Sequence, residues 1–339
     1  MDIIQKNNIY KQKTDYYQNM LNNNTIDKQN NNLYLYKLNK YKMKTAIITN
    51  HKPYCKLLSC ELKYNEKRNP SNCDRILYKG DIQILKYDVY ESDFIKLSDH
   101  LMVFGIFSHK NENGIIFTWN IAKLHDNIDI GCGIDKLIRY FGLFENNYAY
   151  IVFCLQESPN DDKFIKILIE YFLKTQYKVS INSSNSLTQQ NVRLVVFHKN
   201  KGTPLKDVSN YKIQLIEGID NAVENLGEGL KKIKGTKSYV MIKINDITFI
   251  SCHLPINVDI NDPDNYLGNN LRIDALKKII TDFSNDKNVI IAGDLNFRIK
   301  PKPDNNDQLD ELLPSIKDYN EFGKLSKHTC KVIPCNEQK

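Results

Sequence analysis

The chain has 339 residues, 41% of them hydrophobic, and carries a net charge of +7. That is enough to bury a sizeable core, while no apolar run approaches the roughly 20 residues that a membrane-spanning helix needs. The start, MDIIQKNNIYKQK, lacks the apolar centre of a secretory signal, so a soluble cytoplasmic protein is expected, with a basic balance suited to phosphorylated lipid surfaces or nucleic acid.

Residues 1–43 hold seven Lys, three Asp and ten Asn, with Asn runs at 22–24 and 30–32. Such a segment cannot bury enough apolar surface to offset the entropy of ordering it, and a disordered tail with at most a short helix is expected. From residue 44 the pattern changes. Runs rich in Ile, Val, Phe and Tyr predict strands at 45–49, 81–90, 101–107, 114–120 and 150–157, then at 192–198, 238–244, 246–254 and 288–294. Helical periodicity appears at 160–174, where Phe164, Ile167, Leu168, Tyr171 and Phe172 share a face behind Asn160 or Asp161 as N-cap. It returns at 269–283 with Ile273, Leu276, Ile280 and Phe283. Hairpins alternating with single helices predict an α/β (α+β) chain of two packed, mostly antiparallel sheets with helices outside, in one catalytic domain over 44–339.

The eight cysteines are at 55, 60, 73, 132, 154, 252, 330 and 335. Without a secretory signal they are expected to be reduced thiols. Cys154 and Cys252 lie inside strand-like runs, where a thiol acts as a small hydrophobe. Cys55/Cys60 and Cys330/Cys335 are spaced more loosely than zinc ligands usually are.

Five short runs end or interrupt predicted strands, where a rigid sheet presents functional groups. They are SDH (Asp99, His100), TWN (Asn120), LQE (Glu157), SCHL (His253) and GDLNFR (Asp294, Asn296, Arg298). Asp294 and Asn296, two apart in extended chain, would face one side and orient a water, with Asp taking its proton. Glu157 and Asn120 are the hard oxygen ligands that Mg²⁺ prefers. His253 and His100 supply donors for phosphoryl oxygens. His100 needs a carboxylate to hold its tautomer, and Asp74 is the candidate. Together these residue types suit metal-assisted phosphoryl transfer to water.

The runs resemble the endonuclease/exonuclease/phosphatase superfamily, in particular its inositol polyphosphate 5-phosphatase branch. The family order is the TWN strand, the LQE strand, S-x-H-L, G-D-x-N, C-D-R-I-L and finally S-D-H. Here Asn120, Glu157, His253 and Asp294/Asn296 keep that order, whereas Asp74/Arg75 and Asp99/His100 come first. The simplest reading is a circular permutation joined through the hairpin at 103–120, whose polar turn ends in Gly114. The repeated pattern C-K-[LV]-[LI]-x-C at 55–60 and 330–335 fits duplication and trimming.

The resemblance implies a four-layer sandwich of the DNase-I-like type. It also implies Mg²⁺ as cofactor, held by Glu157 with Asn120 and Asp99, and removal of a 5-phosphate from phosphoinositides or soluble inositol polyphosphates. The run YNEKRNPSNCDRIL, 64–77, is similar to the branch-specific motif and makes Lys67, Arg68 and Arg75 readers of a neighbouring phosphate. By the same resemblance Lys234, Lys56 (with Lys331 its rival) and Arg298 belong to the substrate-binding group. Ser71-Asn72 replaces the family's Ala-Trp, and Ile233 its Asn before Lys-Gly. The partners expected are the inositol phosphate and a membrane contacted peripherally, with a monomeric chain. A Mg²⁺-dependent nuclease is the alternative; the chain lacks an obvious aromatic and basic platform for a nucleic-acid strand.

Overall fold

The strand-like runs form strands because their β-branched and aromatic residues are buried on both faces of two sheets. The computed structural model describes residues 11–13, 15–16, 18–19, 61–65, 71–121, 130–159, 162–173, 175–184, 191–199, 237–255, 269–297, 309, 312–316, 318–330 and 332–334. The strands are β1 (Asp74–Lys79), β2 (Gln83–Tyr90), β3 (Met102–His109), β4 (Glu112–Asn120), β5 (Tyr150–Ser158), β6 (Tyr177–Ser183), β7 (Asn191–Lys199), β8 (Ser238–Ile244), β9 (Ile247–His253), β10 (Asn288–Asp294) and β11 (Asn320–Glu321). The longer helices are α1 (Ile130–Phe141), α2 (Lys163–Leu173) and α3 (Asn269–Asp282).

One sheet has the order β2-β3-β4-β5-β7-β6, the other β11-β1-β10-β9-β8. All pairings are antiparallel except β4 with β5 and β9 with β10. Parallel neighbours need a crossover, and α1 and α3 lie in those two connections. Alternate residues along each strand enter different cores. Val103, Ile116, Val152, Val240, Phe249 and Ile290 meet between the sheets. Phe117, Trp119 and Phe153 pack outward with Ile134, Leu137, Phe164 and Leu168 of α1 and α2. On the other side Ile250, Val289 and Ile291 pack with Leu276 and Ile279 of α3. The chain is thus α+β, with two mostly antiparallel sheets and few helices, an arrangement compatible with a sandwich.

Several local expectations are corrected. The Asp162 carboxylate accepts from the Ile165 N–H at 3.1 Å at the start of α2, whereas the expected caps, Asn160 and Asp161, lie outside the described residues. The β3–β4 turn is Lys110-Asn111, both with positive φ (49° and 64°), as the twist of a two-residue hairpin demands. Gly114 is not in that turn: it sits inside β4, where a Cβ would meet the Phe107 ring at 2.3 Å. Helix α1 and strands β1, β6 and β11 were not anticipated as elements. Cys132 is disulfide-bonded, against the expectation of reduced thiols. Of the N-terminal tail, residues 11–13, 15–16 and 18–19 are helical and the rest lies outside the described residues, as does the predicted strand at 45–49. No helix among the described residues is long and apolar enough to cross a membrane.

At Gly293 the backbone of β10 lies close against that of β9. A Cβ there would lie 1.9 Å from the Cys252 carbonyl oxygen on the parallel neighbour β9, and backbone cannot swing aside as a flexible side chain can. Gly293→Ala is therefore expected to destabilise the fold by about 3 kcal/mol, measured by urea unfolding. A change within about 0.5 kcal/mol would show that β9 and β10 are spaced more widely.

Candidate active site

The two parallel pairs place four strand ends on one rim. Asn120 ends β4, Glu157 lies one residue before the end of β5, and His253 and Asp294 end β9 and β10 as directly paired residues. Antiparallel β1 brings its first residue, Asp74, opposite Asp294. The segment before β3 brings in His100, anchored where its carbonyl accepts from Trp119 Nε1 at 3.0 Å and its N–H donates to Ser98 Oγ at 3.2 Å. Glu157 has φ of 54° at a bulge between β5 and β7. A bulge re-aims a side chain. Here it lets Glu157 share the rim with Asn120, although Gln156 is the residue in register with Asn120.

The imidazole of His100 stands between two acids: Nδ1 is 2.8 Å from Asp74 Oδ2 and Nε2 is 3.9 Å from Asp294 Oδ2. Asn120 Nδ2 donates at 3.2 Å to both Glu157 Oε1 and Asp294 Oδ2. His253 Nε2 is 3.4 Å from Asp294 Oδ2 and 3.9 Å from Glu157 Oε1. The Lys237 ammonium abuts the same His253 Nε2. Asp74, Asp294, His253 and Asn120 are all buried; the Glu157 side chain, 25% exposed, is the acid that opens to solvent.

Burial opposes every charge here, and neighbours decide the outcome. Desolvation works against an imidazolium at His100, but Asp74 and Asp294 outweigh it and lift its pKa well above the usual value. Burial pushes Asp74 up to about 7 against the pull of His100. Asp294 is held well below the carboxylate range, because His100, His253 and Lys237 overcome the burial that would raise it. Burial and Lys237 lower His253, against the opposing pull of Asp294 and Glu157. Glu157 is also lowered, burial being outweighed by His253, Lys237 and Asn120. The site therefore holds ionised Asp294 and Glu157 beside a protonated His100.

Sequence reasoning placed Asp74, His100, Asn120, Glu157, His253, Asp294 and Asn296 in one site, and the structure brings all seven together. Asn296 gets there differently. It is not in extended chain: its φ is 55°, its N–H donates to Asp294 Oδ1 at 3.1 Å, and its Nδ2 donates to the Leu254 carbonyl at 3.0 Å. Asp99 neighbours His100 and adds to its raised pKa, while its Oδ1 is buried without a hydrogen-bond partner. Arg75 is turned to the scaffold. Its Nη1 lies 3.0 and 2.9 Å from the two Glu321 oxygens, its Nε donates to the Asn72 carbonyl at 2.6 Å, and its side chain is 4% exposed. Lys56, Lys67, Arg68, Lys234, Arg298 and Lys331 lie outside the described residues. The residue missed is Lys237. It directly precedes Ser238, the partner of His253 in the β8–β9 ladder, so a Lys at a strand start opposite a candidate His was its one signal.

The donors fit a hard cation in part. Asp74, His100 and Asp294 offer ligand atoms within 4.8 Å of one another, and within that group His100 Nδ1 is already engaged by Asp74 Oδ2 at 2.8 Å. Glu157, with its accessible carboxylate, is the oxygen donor open to a cation. Asn120 now presents its amide nitrogen to both Glu157 and Asp294, and its oxygen would face a cation once the amide turns over. Few protein oxygens and an open side suit Mg²⁺, which keeps much of its water.

No family model matches the chain, and no curated protein matches it significantly.

Two outcomes are expected. Glu321→Ala leaves the Arg75 guanidinium buried without that carboxylate and should cost about 3–5 kcal/mol in urea unfolding; a loss under about 1 kcal/mol would show that the pair is not a structural tie. His100, whose pKa rises on folding, stabilises fully below about pH 6.5, and that contribution fades as pH climbs through the folded value. The stability gap between the protein and His100→Gln should therefore narrow from pH 6.5 upward; a gap that widens would contradict the assigned proton.

Proposed function

We propose that the chain is a Mg²⁺-dependent phosphomonoesterase of the endonuclease/exonuclease/phosphatase superfamily, in a circularly permuted form of its DNase-I-like fold. Its substrate is the 5-phosphate of a phosphoinositide or soluble inositol polyphosphate, met in the cytoplasm or at a membrane surface by a monomeric enzyme. The observation that carries this reading is the approach of His100 Nε2 to 3.9 Å from Asp294 Oδ2, across strands whose motifs are 194 residues apart in sequence (100 to 294).

Mg²⁺ held by Glu157, with Asn120, would neutralise charge on a phosphate oxygen. The chain's own residues do the rest. Asp294 orients the attacking water and accepts its proton late; a carboxylate of low basicity suffices because phosphoryl transfer relies on positioning more than on a strong base. Asn296 fixes the Asp294 carboxylate through its backbone N–H. Protonated His100, held by Asp74, donates to a phosphoryl oxygen, and Lys237 with His253 supplies further positive charge and hydrogen bonding. Lys67 and Arg68 read a neighbouring phosphate, and Asp99 supports the metal side. Arg75 acts instead by fixing the start of β1 through Glu321.

The nuclease reading is favoured by that last point. With Arg75 engaged by Glu321, only Lys67 and Arg68 remain of the three residues assigned to the neighbouring phosphate.

Phosphate release from inositol lipids and soluble inositol phosphates, with and without Mg²⁺, tests the proposal beside a plasmid-nicking assay. Release from 5-phosphorylated compounds, abolished by chelation, is expected. Asp294→Asn should lower kcat by 10²–10⁴-fold and leave substrate affinity within about threefold. DNA cleavage without phosphate release would establish the nuclease instead; no turnover of either, with binding intact, would make the chain a phosphate-binding module.

A further inference from the structure

Residues 328–330 and 332–333 form a strap threaded between Asp74, at the start of β1, and His100, just before β3. On one side the Thr329 and Cys330 N–H groups both donate to the Ser71 carbonyl at 3.1 Å, and Thr329 Oγ1 accepts from the Asp74 N–H at 3.1 Å. On the other, the Thr329 carbonyl accepts from Leu101 N–H at 2.7 Å and Val332 N–H donates to the Asp99 carbonyl at 3.1 Å. Further along, Ile333 N–H donates to the Lys63 carbonyl at 2.8 Å and Tyr64 Oη donates to the His328 carbonyl at 2.8 Å. Cys330 lies in the middle of this strap, bridging backbone-to-backbone with both Ser71 and His100.

Its side chain meets Cys73, the residue before Asp74, with the two Sγ atoms 2.6 Å apart and both residues fully buried. That separation is well inside the ~3.5–4.0 Å at which non-bonded heavy atoms rest, and only about half an ångström beyond the ~2.05 Å of a disulfide. Cys252, equally buried, has its Sγ 3.8 Å from the Ala292 carbonyl oxygen.

From this geometry we infer that Cys73 and Cys330 are a cross-linking site, whose disulfide fastens the strap to the start of β1. The oxidant is a low-molecular-weight disulfide such as oxidised glutathione. One cysteine thiolate attacks it and expels one small thiol. The second thiolate then displaces the other, so two protein thiols lose two protons and two electrons and the oxidant leaves as two thiols. Because both sulfurs are enclosed by the docked strap, the reaction belongs to an opened state, and docking brings the sulfurs together. Once formed, the bond is shielded from reductant. The inference stands on the strap alone and is independent of the proposed phosphatase activity.

The test uses the full chain equilibrated in glutathione buffers of rising oxidised fraction, acid-quenched, alkylated in denaturant and peptide-mapped. A peptide linking Cys73 to Cys330 is expected, with at least tenfold loss of alkylation at both positions in the most oxidising buffer. Full alkylation of both there, or linkage of either to Cys55, Cys60 or Cys335 instead, overturns the inference. A second readout compares thermal midpoints in oxidising and reducing buffer. The protein should gain several degrees on oxidation beyond any gain by Cys330→Ala, whose other cysteines, including Cys132, are unchanged. Equal gains in the two would overturn it.

Discussion

The register of β1 against β10 is the constraint on which the site depends. It sets Asp74 opposite Asp294, and the parallel register of β10 with β9 sets Asp294 beside His253. A slip of one residue on β1 would turn Asp74 to the other face of the sheet and send Ile76 from the central core toward α3. Ile76 and Leu77 prevent the slip, because each is fully buried in a different core. Hydrophobic burial thus fixes the register that sets Asp74 opposite Asp294. The Arg75–Glu321 pair adds a clamp at the same strand start, with β11 carrying the carboxylate.

Bringing Asp74, Asp294 and Glu157 onto one rim concentrates like charge where water is scarce. The fold offsets this with cationic or amide groups placed between the acids. His100 stands between Asp74 and Asp294, Asn120 between Asp294 and Glu157, and Lys237 against His253. A charge so enclosed is stable only while its partner is present. Each of these groups is therefore poised: any added ligand that neutralises Glu157 or Asp294 would compete with donors already in place. An electrostatic arrangement of this kind can accept a cation at the open Glu157 side without rebuilding the scaffold.

Much of the scaffold was legible in the sequence because alternation and β-branched content are local. Eight predicted strands lie within two residues of observed ones, and both predicted helices fold as helices. What was lost is equally physical. Strand β6 exposes Val179 and Ile181 at a sheet edge, so its burial alternation is blurred, and α1 carries two Gly among its first four residues. The site residues at strand ends were legible from motif and residue type together. Lys237 was not, since a lysine before a strand has no local mark of burial. The commitment of Arg75 was also hidden, because Glu321 is 246 positions away and nothing near Arg75 announces it. Asn296 was placed in the right site by extended-chain geometry, although the chain in fact turns left-handed there.

The two sheets differ in how far apart their strands are in sequence. The six-stranded sheet is drawn from one continuous stretch, 83–199, so it can assemble by hairpin and crossover from neighbouring pieces. The five-stranded sheet cannot. Its β1 is made early in the chain yet sits between β10 and β11, which arrive more than two hundred residues later. During synthesis Ile76 and Leu77 therefore wait without a sheet to bury them, and closing so long a loop makes this pairing slow. A folding chain will hold one finished sheet and an orphan strand, and the orphan is vulnerable to wrong partners until β10 emerges. The acid–imidazole cluster therefore cannot close until β10 has been made, long after Asp74 and His100 have left the ribosome.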